Sequence, residues 1–329
     1  MFRNGFILGL VGLALLLIVD SANAQEKVKF SGAIFSDYGY VLTSPNGESD
    51  GENGFDVRRV YLTSDFNISS KFDARIRFEG SDGTTVSNGR PGIFVKDLYV
   101  RWKSALGTGH DLTFGIASPP LWNASEKHWA YRGLEATIMD RGKLASSRDM
   151  GVLLRGPVTS DKRLNYSIMF ANNSGGKQET DKFKRLYGQL EFQPNESLVF
   201  TLGGEMYAFE TGNSVSLNGF AGYSFERAAL GVEGFYNPKS FDGTNDTDNL
   251  VGASLFGRVN VTDTNRLIAR YDLLDRDNAG TTSQNNWLIL GYSFMPEKGI
   301  EIIPNLIWDK NKSDDDATLM GRLTVVASF

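Results

Sequence analysis

The sequence has no cysteine, no marked excess of one charge, and no long apolar run after the first two dozen residues. The lack of cysteine excludes a disulfide framework and a thiol-ligated metal site. The lack of repeated apolar runs of about 20 residues excludes a membrane protein built from several helices. The 34 basic and 39 acidic residues are interspersed without a basic stripe, so nucleic acid is not an expected partner. If the chain crosses a membrane, it must cross it with strands.

The first 24 residues have the pattern of a secretory signal. Arg3 supplies the positive start, residues 6–19 are apolar, and Ala22-Asn23-Ala24 is the small-residue pattern that a signal peptidase cleaves. The apolar stretch is about 14 residues long, which is short for a membrane-spanning helix. We therefore predict a signal peptide over 1–24, cleaved before Gln25, and a single mature domain over 25–329.

From Lys27 to the last residue, apolar and polar residues alternate in segments that are separated by clusters of Asn, Asp, Gly, Ser and Pro. In 71–79 the even-numbered residues are all apolar and the odd-numbered residues are all charged. One face of each such strand suits an apolar environment and the other suits water. The pattern predicts strands at 27–43, 55–68, 71–80, 93–103, 111–117, 148–158, 163–172, 183–193, 197–209, 214–226, 228–237, 248–261, 265–275, 284–296, 298–310 and 316–329.

An even number of strands, joined alternately by short turns and longer loops, is typical of a transmembrane β-barrel. Aromatic residues near strand ends, such as Trp102, Trp287 and Trp308, have the positions expected of interfacial girdles. A soluble β-sandwich or propeller also shows alternation, but it would have to bury the apolar faces of nearly every strand. We therefore predict an all-β fold, a transmembrane antiparallel β-barrel of about 16 strands. The predicted location is the outer membrane of a Gram-negative-type envelope, with both termini on the periplasmic side.

Several segments of the first half of the chain resemble, in the same order, the phosphate-selective porin O and P family. They are 55–62 (FDVRRVYL), 71–80 (KFDARIRFEG), 96–102 (KDLYVRW), 112–115 (LTFG) and 148–156 (RDMGVLLRG). The final Phe329 resembles the C-terminal signal of outer-membrane barrel assembly. The resemblance implies a homotrimeric sixteen-stranded channel with an inward-folded third loop and lumen-facing basic residues that attract anions. Such a channel would contact outer-membrane lipid and lipopolysaccharide, and we expect no cofactor and no metal.

The longest connection, 118–147, is rich in aromatic and charged residues. A loop of about thirty residues in a compact fold is usually functional. We expect this third loop to fold into the lumen and narrow it. An exterior flap or a subunit contact is the alternative, because loop length fixes no direction. The candidate constriction residues are Lys127, His128, Arg132, Arg141 and Lys143.

Strand parity predicts which charged side chains face the lumen. The candidates for lining the pore and binding anions are Arg59, Lys71, Arg75, Arg77, Arg101 and Arg155, and parity also turns Arg185, Arg258, Arg270 and Arg322 inward. Arg58 breaks the parity and is predicted to point outward or to lie at the membrane rim. Asp73, Glu79 and Asp97 interrupt the same strands, so an ion pair with a neighbouring strand is the alternative to a transport role for each cation. The acids favour a general or weakly selective porin for small hydrophilic solutes, with a mild anion preference possible.

Two other functions remain open from the residues alone. A hydrolase would have to build a Ser-His-acid centre around His128, from loop residues such as Ser125 and Glu135 that no strand holds in fixed contact. We therefore do not expect an enzyme. A barrel that serves surface adhesion or scaffolding through its outer loops is the other alternative, because nothing in the sequence proves an open pore.

Overall fold

The computed structural model describes residues 27–85, 90–244, 246–278 and 281–329. The predicted signal peptide and its cleavage site before Gln25 lie outside the described residues. All sixteen predicted strands are present, close to their predicted bounds. They are β1 Val28–Thr43, β2 Asn53–Asn67, β3 Phe72–Thr85, β4 Pro91–Trp102, β5 Asp111–Ala117, β6 Asp149–Pro157, β7 Leu164–Ala171, β8 Arg185–Phe192, β9 Leu198–Phe209, β10 Gly212–Ser224, β11 Ala228–Phe241, β12 Thr247–Asn260, β13 Asn265–Asn278, β14 Thr281–Glu297, β15 Ile300–Asn311 and β16 Thr318–Ser328.

The strands form one closed antiparallel barrel. Each strand pairs with its neighbours in the chain, and β1 pairs with β16 to close the ring. At this closure Ala33 lies opposite Ser328 and Val41 lies opposite Met320. Closure pairs both edges of each of the sixteen described strands, which is the condition for crossing a bilayer with strands. The predicted fold class is therefore confirmed.

Apolar side chains cover the outer face of the barrel. On β9, for example, Leu202 is 67% exposed and Met206 is exposed, whereas Thr201 and Glu205 on the opposite face are buried. An apolar exterior that continues around the whole ring would be unfavourable in water and is what contact with lipid requires. The exterior therefore distinguishes this barrel from a soluble β-protein.

The connections differ between the two ends of the barrel. At one end, here called the turn end, the strands are joined mostly by short turns; the other end, here called the loop end, carries longer connections such as 44–52, 118–148 and 172–184. The alternation of short turns with longer connections is not complete, since only two residues, 210–211, join β9 to β10 at the loop end. The predicted turn at Pro296-Glu297 lies within β14, and the chain reverses at 298–299 instead, where Gly299 has φ +86°.

Two β-bulges interrupt the alternation on β2 and β4, the strands on either side of β3. On β2, Arg58 is an extra residue without a partner on β1. On β4, Lys96 is an extra residue without a partner on β3. An extra residue shifts the parity of a strand, so two consecutive side chains can face the same side of the sheet.

The connection 118–148, here called the long loop, contains two short helices, α1 Asn123–Trp129 and α2 Ile138–Arg141. Its apolar side chains pack with strand side chains in two buried clusters. The first contains Leu121, Trp122, Ile138, Met139 and Leu144 with Leu153, Met169, Ala171, Tyr187 and Phe235; the second contains Trp129, Tyr131 and Leu134 with Phe220, Phe256, Ile268, Trp287, Ile289 and Ile303. None of the helices in the described ranges is sufficiently long and apolar for a membrane span.

Candidate functional site

The long loop makes contacts on several sides of the barrel. Gln189 on β8 donates a hydrogen bond to the carbonyl of Leu121 at 2.7 Å, and Arg322 on β16 donates one to the carbonyl of Leu134 at 2.9 Å. Between these two strands, Arg270 on β13 donates a hydrogen bond to a further loop carbonyl. Only a segment that crosses the interior of a closed ring can reach all of these strands at once.

Arginines of the barrel wall hold the loop by its backbone. The pairs of arginine and loop carbonyl are Arg58 with Gly133, Arg185 with Leu144, Arg258 with His128, Arg270 with Ala136, and Arg322 with Leu134. Hydrogen bonds from charged groups contribute about 1.5–3 kcal/mol each when they are well formed. Together with the two apolar clusters, these bonds fix the course of the loop inside the barrel.

Gly133 marks the closest approach of the loop to the wall. A Cβ atom at this position would lie 2.6 Å from Cγ2 of Val326 on β16 and 3.3 Å from the ring of Phe35 on β1. Both distances are shorter than ordinary van der Waals contact. With Val326 opposite, any side chain at this position would therefore push the loop away from the closure of the barrel.

Opposite the apolar clusters, the inner wall formed by β1–β4 and β16 is charged. Three carboxylates there are each contacted by two cations. We call this group the shared-carboxylate cluster; its members are Asp37, Glu79 and Asp97 with Arg58, Arg59, Arg77, Lys96, Arg148 and Arg322. Six cations and three carboxylates give the cluster a formal net charge of +3.

In Glu79 and Asp97, each of the two carboxylate oxygens contacts a different cation. Glu79 is 3.3 Å from Nε of Arg59 through Oε1 and contacts Lys96 through Oε2. Asp97 contacts Arg148 and lies 3.5 Å from Nε of Arg77. The Glu79 and Asp97 side chains are almost completely buried, with 4% and 3% of their side-chain surface exposed. Because one carboxylate carries a single negative charge, it neutralises its two cations only in part.

Asp37 forms the third shared pair. It contacts Arg58 and lies 3.8 Å from Nε of Arg322, and it accepts a hydrogen bond from the hydroxyl of Thr324. This part of the cluster lies at the closure of the barrel, next to the tip of the long loop. Arg58 and Arg322 thus both anchor the loop and contribute to the positive charge of the wall.

The ring of Tyr61 lies among three of these cations. The guanidinium of Arg77 is 5.2 Å from the ring centroid, the ammonium of Lys96 is 5.5 Å away, and the guanidinium of Arg59 is 5.9 Å away. The hydroxyl of Tyr61 also accepts a hydrogen bond from Arg59 at 3.3 Å. Attraction between the ring and the cations stabilises their close grouping.

A cavity of about 370 Å³ lies between part of the cluster and the long loop. Its charged lining consists of Arg58, Arg59 and Arg322 from the wall and Arg132, Glu135, Asp140, Arg141 and Lys143 from the loop. Six cations therefore line the cavity together with two carboxylates. A narrow aqueous space between low-dielectric walls concentrates the field of such groups.

The remaining predicted pore residues lie nearer the turn end. Arg75 is bonded to Asp65 at 2.7 Å, and Arg101 is bonded to Asp73 at 3.0 Å, in both cases directly across a pair of strands. Cross-strand pairing, the alternative weighed from the sequence, therefore describes both arginines. They line a second cavity, of about 380 Å³.

Arg155 and Lys71 differ from those two arginines. Arg155 has no ion pair within the described parts of the chain, its Nε lacks a hydrogen-bond partner there, and it lines a third cavity of about 330 Å³. Lys71 lies in the turn before β3 and is exposed to solvent. The prediction that Lys71 lies on a strand is therefore wrong, because β3 begins one residue later.

Two of the loop candidates face the first cavity with their charges partly neutralised. Arg132 contacts Glu126 at 3.2 Å and Asp140 at 3.0 Å. Arg141 lies 3.5 Å from Asp272 and its guanidinium is 4.7 Å from the ring centroid of Trp287. These contacts fix the side chains that narrow the space beside the wall.

The other three loop candidates have different surroundings. Lys143 lines the cavity, is exposed, and makes no ion pair within the described ranges. Lys127 is exposed at the last turn of α1. His128 is directed at the wall, where Nε2 donates to the carbonyl of Leu230 at 2.9 Å. Burial lowers the pKa of His128 and the charge of Arg258 lowers it further, while the bond to Leu230 opposes both effects.

The prediction for Arg58 is wrong. Its side chain points inward, to Asp37 and to the loop, because the bulge on β2 turns both Arg58 and Arg59 to the interior. Parity likewise missed Lys96, which the bulge on β4 places inside beside Asp97. Adjacent charged residues within an otherwise alternating segment are the sequence signal that could have indicated both bulges.

The proposed elements of a hydrolytic centre are not brought together. The hydroxyl of Ser125 donates to the carbonyl of Trp122 at 3.1 Å, and His128 is bonded to Leu230. Within the described residues these two side chains therefore do not form a hydrogen-bonded pair. The geometry of the loop is that of a packed and anchored segment.

A closed barrel of sixteen strands with an apolar exterior, a charged interior and a loop packed inside it defines a channel-type β-barrel. The chain matches the family model for Gram-negative porins over residues 12–317. It therefore belongs to the Gram-negative porin family, and its place is the outer membrane, where it forms a channel for passive diffusion.

Solved porin structures share the fold at low sequence identity. The anion-selective porin from Comamonas acidovorans is 15% identical, with a TM-score of 0.71 over 92% of this chain and 99% of that chain. OmpF of Salmonella typhi, solved in complex with daunomycin, is 10% identical, with a TM-score of 0.69 over 92% and 97%. The trimer form of OmpT from Vibrio cholerae is 11% identical, with a TM-score of 0.66 over 92% and 99%. No curated protein sequence matches the chain.

Proposed function

We propose that this porin passes small hydrophilic solutes and prefers anions among the charged ones. The observation that carries the proposal is the formal +3 charge of the shared-carboxylate cluster, three of whose arginines line the cavity together with three loop cations and two loop carboxylates. A solute that passes beside the long loop must cross this space. An excess of positive charge there raises the local concentration of anions. The solved porin from Comamonas acidovorans, which has the same fold, is described as anion-selective and supports the proposal.

The candidate residues have different proposed roles along this path. Arg59 and Arg77, with 21% and 24% of their side-chain surface exposed, attract anions at the wall. Arg132, Arg141 and Lys143 form the opposite side of the constriction. The remaining candidates, Lys71, Arg75, Arg101, Arg155, Lys127 and His128, contribute to the mouths of the channel or to packing of the loop.

Strict selectivity for phosphate, which the resemblance to the O and P family suggests, is not part of this proposal. Each pair of cations in the cluster shares one carboxylate, so half of the cationic charge is neutralised. A wall with this composition attracts anions in general and binds no single anion tightly. Chloride and phosphate should therefore both pass, in the order of their mobility in water.

We also propose a homotrimer of mature chains without enzymatic activity. The trimer form of Vibrio cholerae OmpT has a similar fold, and the apolar exterior can contact lipid, lipopolysaccharide lipid chains or another copy of the barrel. The backbone partners of Ser125 and His128 give no support to a hydrolase. Export with a signal peptide over 1–24, leaving a domain over 25–329, belongs to the same proposal.

Swelling of liposomes tests the proposed transport. Liposomes that contain the purified protein should swell in isosmotic solutions of a small sugar such as arabinose, and more slowly as the sugar becomes larger. They should also swell in potassium chloride and in potassium phosphate. Swelling in phosphate alone would contradict the broad preference, and no swelling in any solute would contradict the channel proposal.

A further inference from the structure

We infer that the two β-bulges determine the charge preference of this channel, with Arg58 and Lys96 as the specificity-determining residues. The inference rests on the proposed function and names the structural device behind it. Each bulge inserts one additional residue into a strand next to β3, and in each case that residue is a cation whose side chain faces the interior. At each bulge, two consecutive side chains face the interior. A regular strand would place only one inward side chain there.

The bulge residues supply most of the net charge of the shared-carboxylate cluster. Without Arg58 and Lys96, the cluster would contain the four cations Arg59, Arg77, Arg148 and Arg322 with the same three carboxylates. Its formal net charge would be +1 and not +3. The two bulges therefore change a wall that is almost neutral into one that is clearly positive.

Lys96 acts through Glu79. Lys96 contacts Oε2 of Glu79 and has only 8% of its side chain exposed, while Arg59, which contacts Oε1, is 21% exposed and lines the cavity. The charge of Glu79 is compensated by Lys96, so the charge of Arg59 remains effective toward the water. Because Lys96 is buried, dissolved salt screens it much less than it would screen an exposed cation.

Arg58 has the same relation to Asp37. It contacts this carboxylate and leaves Arg322, 3.8 Å away, as the second cation of the pair. Arg58 also donates to the carbonyl of Gly133 at the loop tip, so it has a positioning role in addition to its charge. Variants of Lys96 therefore give the cleaner test, because among the described residues Lys96 is ion-paired with Glu79 and donates no hydrogen bond to a loop carbonyl.

Reversal potentials in a potassium chloride gradient measure the anion preference. Replacing Lys96 by Met keeps the length of the side chain and removes its charge, and we expect the ratio of chloride to potassium permeability to fall about two- to fivefold. Lys96→Arg should keep the ratio of the unchanged protein. The matched control is Lys103→Met, which removes a lysine that follows the same strand and lines the cavity at the turn end; its ratio should change much less.

Deletion of Lys96 separates the charge from the local backbone geometry. The deletion leaves Val95 opposite Phe78 and Asp97 opposite Arg77, so both neighbours keep their sides of the sheet. It should reduce the ratio as much as Lys96→Met does. Equal ratios for Lys96→Met and the unchanged protein, or an equal loss in Lys103→Met, would overturn the inference. Arg58→Gln should lower the permeability ratio as well, and Arg58→Lys should largely keep the ratio of the unchanged protein.

The outcomes distinguish this inference from the proposed function. If the unchanged protein shows no preference for chloride, the proposed anion preference is wrong. The inference on the bulges is still tested in that case, because it requires Lys96→Met to prefer potassium more strongly than Lys103→Met does.

Discussion

Ionised side chains inside this barrel are held by partners from more than one element. Arg270, which is almost completely buried, binds Asp272 on its own strand and a carbonyl of the long loop, and its guanidinium is 5.3 Å from the ring centroid of Trp129. Buried charges are tolerated only when such partners replace the lost water. The same requirement explains why each carboxylate of the shared-carboxylate cluster has two cationic neighbours.

His128 predicts a dependence of stability on pH. Burial lowers its pKa in the folded protein, and Arg258 adds to the shift. Below the ordinary histidine pKa of about 6.5, the unfolded chain therefore binds more protons than the folded one, and stability falls as the pH falls. We expect His128→Gln, which can keep the hydrogen bond to Leu230, to lose less thermal stability between pH 7.5 and pH 5 than the unchanged protein loses.

Thermal unfolding in detergent, followed by circular dichroism at a series of pH values, measures this difference. The comparison between the variant and the unchanged protein removes the contribution of the many carboxylates that titrate in both. Parallel curves for the two proteins would show that His128 contributes nothing to the acid sensitivity.

Strand parity predicted most of the inward charges but not all of them. Arg75 and Arg77 lie in the regular part of β3, and Arg59 and Arg101 lie in the regular parts of β2 and β4 that follow the bulges, so local alternation indicated their direction. Arg58 and Lys96 lie at bulges, where the partner strand decides the parity. A bulge is a property of two paired strands, and a single segment read by itself contains only the indirect signal of adjacent charges.

At the level of elements, the long loop is the part of the site that the sequence predicted least completely. Its length and aromatic content indicated a functional segment. Its course could not be predicted, because the residues that hold it lie on strands far away in the chain, such as Gln189, Arg270 and Arg322. The charged side chains that face the cavity, Arg132, Arg141 and Lys143, are set by that course.

A disulfide tests the position of the loop tip. A Cβ atom at Gly133 would lie 2.6 Å from Cγ2 of Val326, which brings the two β-carbons to about 4 Å or less, the separation that a disulfide needs. The chain contains no cysteine, so an introduced pair has no competing thiol. We expect Gly133→Cys with Val326→Cys to form an intramolecular disulfide on mild oxidation, detected as a mobility shift that a reductant reverses.

The control pairs Gly133→Cys with Val325→Cys, which lies on the lipid side of the same strand. This pair should remain reduced. A disulfide in the control as readily as in the test pair, or none in the test pair of a folded barrel, would contradict a loop tip inside the barrel.

At the level of the whole molecule, the two faces of the barrel wall have different solvents. Leu202 is exposed in the middle of β9, whereas Ser31 on β1 alternates with the exposed Phe30 and faces inward. A lysine on the lipid face near the bilayer centre costs about 2–4 kcal/mol, and a lysine on a wet interior costs about 0.5 kcal/mol or less. We expect Leu202→Lys to lower the free energy of unfolding in lipid vesicles by the larger amount and Ser31→Lys by the smaller one.

Urea titrations of the vesicle-inserted protein measure both values. Comparable losses in the two variants would mean that the exposed apolar face is not the face in contact with lipid. The asymmetry of the wall was predictable from the sequence, because it follows from period-two alternation and needs no knowledge of the loop.

The central claim is that a water-filled, anion-preferring path runs beside the anchored loop. Recording of single channels in a planar bilayer, with a tenfold gradient of potassium chloride, tests it most directly. The account predicts discrete conductance steps and a reversal potential of the sign given by chloride as the more permeant ion. A folded protein that inserts without conducting, or one whose reversal potential has the sign of a potassium-preferring channel, would contradict it.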